Sequence, residues 1–427
     1  MSQTSRHQEV RRQKILFLQK RLLFPTDTGG KIRTLNILRH LACWHDITYL
    51  CNILPSEEPY LDEMKNLGLK METIPWTETP RTSWRFYVDL AKNLFSSYPF
   101  NVNKDHDPRL RQRAAELLQQ QDFDLLVCDF VQMARNCIGF DQIPKLLFQH
   151  NVEAQIFQRQ AKRGGGPLRR LYMWLQWKKM QRFEAHAGND FDRVVAVSDR
   201  DRETFQESYG WTHVEVIDTA VDTDYFHPLD LAPIPRRCVF VGSMDWLPNE
   251  DGVLYFVQAI WPLIRKQLPD ATFSIVGRNP SHAIRALNGN HGIHVTGSVA
   301  DVRPFLSESD IVVVPLRVGG GTRLKVYEAM AMRKPVVSTS IGIEGLNVTH
   351  RENVLIADDP ATFAEHVVGL ANDPGFRTEL ANNGLAMVHR SHTPVVAAKQ
   401  FECACLDALG NRSISPTDDM ATTSTAN

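Results

Sequence analysis

The sequence has no apolar run long enough to span a bilayer: among its 427 residues no stretch approaches the roughly 18 consecutive apolar positions required. The amino-terminal MSQTSRHQEVRRQKILFLQKR is positively charged but offers only ILFL before Lys20 and Arg21, too short for a signal-peptide core. Net charge is also scarce. Forty-eight Lys and Arg against 49 Asp and Glu leave −1, so no global field draws the chain to nucleic acid or to a membrane. The seven cysteines (43, 51, 128, 137, 238, 403 and 405) are scattered and odd in number, without metal-ligand spacing. The C-x-C at Cys403 and Cys405 falls in a helical stretch and reads as packing. Together these features point to a reducing, cytoplasmic compartment. Neither the Walker pattern G-x-x-x-x-G-K-[ST] nor G-x-G-x-x-G occurs, which argues against a P-loop enzyme and weakens a nicotinamide enzyme.

What is present is a regular alternation. KILFL, ITYLCNIL, DLLVCDF, KLLFQ, RVVAV and VEVI read as buried strands separated by helical patterns. After the proline-rich LDLAPIPRR the pattern restarts with CVFVG, TFSIVG, IHVTG, IVVVPL and PVVST. Such alternation specifies α/β architecture with parallel sheets, and the length suits two domains of about 200 residues each. The expected organisation is a first Rossmann-like domain over 1–225 and a second over 226–385. A helical segment over 386–410 and a disordered tail over 411–427 follow. Two doubly wound domains facing a cleft would surround it with the loops at their carboxyl edges.

Several loops carry candidate chemistry. In FPTDTGGKIRTL, Gly29 and Gly30 either admit a ligand to the backbone or simply make a tight turn. His150 follows the strand KLLFQ at a carboxyl edge, where a histidine faces a ligand or serves packing, and Asn151 is placed to cap the next helix. Ser198 reads as a helix cap with Asp201 in the first turn. The D-x-D triplets do not suggest a metal site, because Asp122–Asp124 and Asp190–Asp192 precede their strands. Residues 159–184 hold eight Lys or Arg and one Glu among Tyr172, Trp174, Trp177 and Phe183. They read either as a peripheral contact with an anionic bilayer or as an ordinary solvated face.

The strongest motif is VGGGTRLKVYEAM, residues 318–330. Gly319, Gly320, Gly321 and Thr322 join a buried strand to a helix, an arrangement whose free N–H groups attract phosphate. Arg323 and Lys325 suit phosphate oxygens, and Glu328 suits ribose hydroxyls.

With those residues in hand, the chain resembles the retaining glycosyltransferases of family 4, which have the GT-B fold, over nearly its whole length. The resemblance rests on FPTDTGGKIR, VIDTAVDTDYFHP, FVGSMDWLPNEDG, TFSIVGRNP, GIHVTGSVADVRPFLSESDIVVVPL and GGGTRLKVYEAMAMRKPVVST, in the family's order. It is nearest a bacterial subgroup associated with exopolysaccharide synthesis. It implies transfer of a sugar from a nucleoside diphosphate donor, without bound metal or other cofactor, to a glycan or lipid-linked glycan. It also implies a C-terminal helix returning toward the first domain, and a place in the cytoplasm or at the inner face of the plasma membrane. By the same resemblance Gly29 and Gly30 lie against the donor diphosphate or the transferred sugar. His150 meets the sugar near its reacting carbon, and Glu328 holds the ribose. Gly242 and residues 319–322 complete the donor seat.

Three departures stand out. Gly320 occupies the place of the first glutamate of E-x7-E. Ser243 follows Gly242 where the family has an arginine and a later lysine, and Thr219-Ala220-Val221-Asp222 replaces the usual crossover. The expectation is that Arg323 and Lys325 take over stabilisation of the leaving diphosphate, and that replacing both by alanine harms turnover far more than folding. A GT-B epimerase acting on a nucleotide sugar and a catalytically silent nucleotide-sugar-binding protein remain the alternatives.

Overall fold

The computed structural model describes residues 11–26, 28–80, 82–162, 166–318 and 323–410. The chain forms two compact units, one running to Ile217 and resuming at Ala398, the other spanning Asp218–Ala397. The expected tail 411–427 lies outside the described residues.

The first unit is built on a seven-stranded sheet of β1 (Lys14–Gln19), β2 (Asp46–Ile53), β3 (Lys70–Pro75), β4 (Leu125–Asp129), β5 (Lys145–Phe148), β6 (Arg193–Ala196) and β7 (Val214–Val216). Its order is β3-β2-β1-β4-β5-β6-β7, with every pairing parallel. Helices cover both faces of such a sheet, so its central strands read as continuous apolar runs. Ile15 to Leu18 and Leu125 to Cys128 are accordingly buried. The edge strand β3, KMETIP, is half-buried and mixed in character, which is why it escapes the apolar-run criterion.

The second unit repeats the plan with β8 (Arg237–Val241), β9 (Thr272–Val276), β10 (Ile293–Gly297), β11 (Ile311–Val314), β12 (Val336–Ser338) and the two-residue β13 (Leu355–Ile356). Its order is β10-β9-β8-β11-β12-β13. In each sheet the connection direction reverses beside the first strand. β1 lies between β2 and β4, and β8 lies between β9 and β11. Loops leaving the two strands at such a reversal diverge and open a crevice at the carboxyl edge. Both units are doubly wound α/β sheets, as expected.

Three helices, Pro360–Asn372, Pro374–Ser391 and Pro394–Ala408, end the described chain. The last of these places Phe401 on Phe148, ring centroids 5.1 Å apart, and Glu402 3.0 Å from His45. None of the seven cysteines forms a disulfide. Among the described residues no helix is long and apolar enough to cross a membrane.

Candidate functional site

At the reversal in the first unit, Asp129 ends β4 and is fully buried. One of its oxygens accepts from Gln19 Nε2 at 2.5 Å and from Thr34 Oγ1 at 2.8 Å. The other lies 2.6 Å from His150 Nε2. His150, two residues beyond the neighbouring β5, is 4% exposed, and its Nδ1 stands 3.1 Å from Arg33 Nη1. A guanidinium only donates. Nδ1 is therefore the acceptor, and Nε2 carries the proton that it shares with Asp129. Burial holds the imidazole below its usual pKa, outweighing the nearby carboxylate, so the ring is neutral. Burial likewise lowers Arg33 to about 10, against the opposing pull of Asp201 and Asp129.

Phe130 and Phe148 sandwich the imidazole, with centroids 4.0 and 4.2 Å away. Phe130 takes a left-handed backbone (φ 70°) to do so. A Cβ on Gly30 would sit 2.5 Å from its ring tip, whereas one on Gly29 would meet nothing within 4 Å. Gly30 thus makes room for an aromatic ring of the protein itself, and Gly29 borders open space. Sequence reasoning finds His150 but misses Asp129, Arg33 and Phe130. Asp129 and His150 meet because their strands are neighbours, with Asp129 in register with Phe148, a pairing that local periodicity cannot specify.

The next helix start differs from expectation. The first amides of helix Glu153–Lys162 donate to the buried Glu184 carboxylate at 2.9 and 3.0 Å, so the cap comes from a distant helix. Ser198 does cap its helix, accepting from Asp201 N at 3.1 Å.

At the reversal in the second unit, Lys325 and Asn249 meet at Gly242. The Lys325 ammonium donates to Asn249 Oδ1 at 2.7 Å and lies 4.2 Å from the centre of the Phe240 ring. Asn249 Nδ2 in turn donates to Ser243 O at 2.8 Å. A Cβ on Gly242 would come within 2.7 Å of Asn249 Nδ2 and 2.8 Å of Lys325 Nζ, so only glycine leaves space for the amine. Lys325 is half-buried, and burial, opposed by Glu328, pulls its ammonium down to about 7. Glu328 stands three residues further along helix Leu324–Ala331. Burial raises it to about 7, with Lys325 opposing. An ammonium enclosed in this way gains strongly from an arriving anion.

Gly277 presses its backbone against the same loop, where a Cβ would lie 1.8 Å from Gly242 O. Its neighbour Arg278 donates from Nε to Ser243 Oγ at 2.9 Å. A guanidinium from the β9 loop therefore stands beside Ser243, a residue at which the sequence shows no cation.

Arg323 is 2% exposed, its Nε donates to Ile341 O at 3.2 Å, and Glu344 lies 4.0 Å away. Its guanidinium braces the Ile341–Glu344 segment, because the turn of chain after β12 brings a carbonyl to it. Gly319, Gly320, Gly321 and Thr322 lie outside the described residues.

Comparisons with known proteins bear on the fold and the family. Residues 28–225 match the family described as Glycosyltransferase Family 4, and residues 235–373 match that described as Glycosyl transferases group 1. An uncharacterized 44.6 kDa protein in the cps region of Klebsiella pneumoniae is 24% identical over 399 residues, covering 89% of this chain and 96% of that protein. Among solved structures, a glycosyltransferase from Rickettsia africae is similar with a TM-score of 0.63 and 14% identity, over 94% of this chain and 100% of that one. Anabaena Alr3699/HepE in complex with UDP-glucose is similar with a TM-score of 0.60 and 14% identity, over 91% and 98%. The chain is a GT-B glycosyltransferase, composed of a family 4 domain followed by a group 1 domain.

Proposed function

We propose that this glycosyltransferase moves a sugar from a nucleoside diphosphate donor to a glycan or lipid-linked glycan acceptor in bacterial exopolysaccharide synthesis, with retention of configuration and without a bound metal. One observation carries the reading. The Lys325 ammonium is held by Asn249, Phe240 and the open face of Gly242, with Glu328 on the same helix. Departure of a nucleoside diphosphate leaves negative charge behind, and a preorganised cation at that point is the largest service the protein supplies. Lys325 takes that role, Arg278 adds a second cation across Ser243, and Glu328 accepts from the ribose. For retention, the leaving phosphate accepts the acceptor's proton on the face from which it departs. His150 then positions the sugar and its Arg33 neighbour, and no histidine nucleophile is used. Backbone amides of Gly319, Gly320 and Gly321 take over the sugar contact that the family's first glutamate makes. The relative from a cps region supports the polysaccharide setting.

Lys325→Ala is expected to lower kcat/KM by about a hundredfold or more, the usual cost of removing one such donor, with a thermal unfolding midpoint close to that of the unmodified protein. Transfer at near-unmodified rates refutes the assignment. The double replacement with Arg323→Ala is a poorer test, because Arg323 braces the fold.

The reading includes a peripheral contact with the inner face of the plasma membrane. Within 159–184, Leu168, Leu171 and Trp174 are exposed beside Arg169, Arg170 and Lys178. Lys179 Nζ donates to Asn93 O at 2.6 Å, tying this helix to a second apolar surface made by Trp84, Tyr87 and the 95%-exposed Phe95. Apolar side chains flanked by cations suit an anionic bilayer. Sedimentation with phosphatidylglycerol vesicles is expected, and to be lost in the triple replacement Trp84→Ser, Tyr87→Ser and Phe95→Ser. Equal sedimentation of both proteins overturns this contact.

A further inference from the structure

The first unit contains a cavity of about 380 Å³ at the carboxyl end of β1 that the donor reading does not use. Four cations line it: Lys20 and Arg21 just after β1, Lys31 on the helix that follows the glycine pair, and Lys104 on helix Phe100–Asp105. The three lysines are half-buried and Arg21 is 8% exposed. Asp105 is the sole acid among the described lining residues, and it stands 2.9 Å from Lys20. Behind the wall, Glu78 pairs with Lys104 at 2.8 Å and approaches Arg21 to 3.6 Å, while Glu57 lies 3.9 Å from Arg21. Even with both glutamates counted, these charges sum to one net positive.

A second observation points to a ligand. Arg21 Nη2 is buried and makes no hydrogen bond among the described residues; the carboxylate it approaches, Glu78 at 3.6 Å, is already engaged by Lys104 at 2.8 Å. Buried charged donors usually have a close acceptor in a folded protein, and an anion in the cavity would supply the close contact that Glu78 does not make. The cavity also adjoins the site already described. Phe130 is both a wall of the cavity and the ring stacked on His150 at 4.0 Å. A group seated among the four cations is therefore separated from the histidine cluster by one aromatic ring.

We infer that this cavity is an acceptor subsite that holds a negatively charged group, phosphate or carboxylate, on the glycan being extended. The inference rests on the transferase reading, and two measurements keep the fates of the two apart. The first is calorimetric titration of the full-length protein with inorganic pyrophosphate while saturating UDP or GDP occupies the donor seat. Pyrophosphate binding is expected, weakened at least tenfold by Lys31→Gln, a half-buried position whose replacement does not threaten the fold, and by Arg21→Gln. Binding abolished by the nucleotide, or unchanged in Lys31→Gln, overturns the subsite whatever becomes of the transferase reading. The second compares transfer to three acceptors bearing the same terminal sugar: a farnesyl diphosphate-linked sugar, an octyl glycoside of a disaccharide ending in a uronic acid, and a neutral octyl glycoside. The ratio of kcat/KM for a charged acceptor over the neutral one is expected to exceed ten and to fall toward one in Lys31→Gln. The charged acceptor with the larger ratio identifies phosphate or carboxylate as the group bound. Equal use of all three overturns the inference but leaves the transferase standing.

Discussion

Gly242 shows how the absence of one side chain positions another. The Lys325 ammonium occupies space that a Cβ at Gly242 would enter at 2.8 Å, and the same Cβ would strike the Asn249 amide that holds the ammonium. The colliding atoms are the ends of side chains, so Gly242→Ala displaces the amine without disturbing the sheet. The expected outcome is at least a tenfold rise in the dissociation constant for the donor nucleotide, with an unfolding midpoint lowered by only about 2–4 °C, since the colliding atoms are side-chain ends that can shift. Titration calorimetry together with a thermal melt checks both parts. Unaltered nucleotide affinity would remove Lys325 from the donor seat. His150 gives the complementary lesson. Its identity and its place after a strand are evident in KLLFQHN, but its chemistry is set by Asp129 and Arg33, which engage both ring nitrogens.

Between elements, the buried Glu184 joins two helices. Its carboxylate accepts from the amides of Glu153 and Ala154, from Gln149 Nε2 at 3.2 Å and from the Tyr209 hydroxyl at 2.9 Å. It therefore fixes the start of helix Glu153–Lys162 and the 149–152 loop that carries His150. Glu184→Ala leaves these donors buried without an acceptor, at an expected cost of about 2–4 kcal/mol. Glu184→Gln, which keeps one acceptor oxygen, is expected to cost less. Urea denaturation measures the difference, and an alanine variant as stable as the unmodified protein contradicts this role. Helical wheels would not reveal it: RFEAHAG places Glu184 among buried positions, where a lone acid reads as an irregularity until the second helix is brought against it.

Across the whole molecule, the first unit is assembled from two separated pieces of chain. Helix Pro394–Ala408 contributes buried Phe401, Ala404 and Cys405, with Phe401 on Phe148 and Glu402 beside His45. Ending the chain at residue 393 uncovers Phe148, a residue of the strand that leads to His150. Loss of one large aromatic contact of this kind costs about 3–5 kcal/mol. The shortened protein is expected to show a calorimetric transition lowered by at least about 5 °C. An unshifted transition rules out this stabilisation.

The sequence by itself determined the alternating strands and the two-sheet plan. Each of these is a short-range property, carried by apolar runs and turn chemistry within about a dozen residues. The edge strands Lys70–Pro75 and Leu355–Ile356 escaped because one is of mixed polarity and the other has two residues. Tertiary structure alone decided which groups meet. Strand order set Asp129 against His150, the packing of two backbone loops brought Arg278 to Ser243, and the turn after β12 drew Arg323 inward while leaving Lys325 beside Gly242. The physical reason is range. Hydrogen bonds and charge contacts act over a few ångströms, and only the closed sheets bring residues tens of positions apart within that distance.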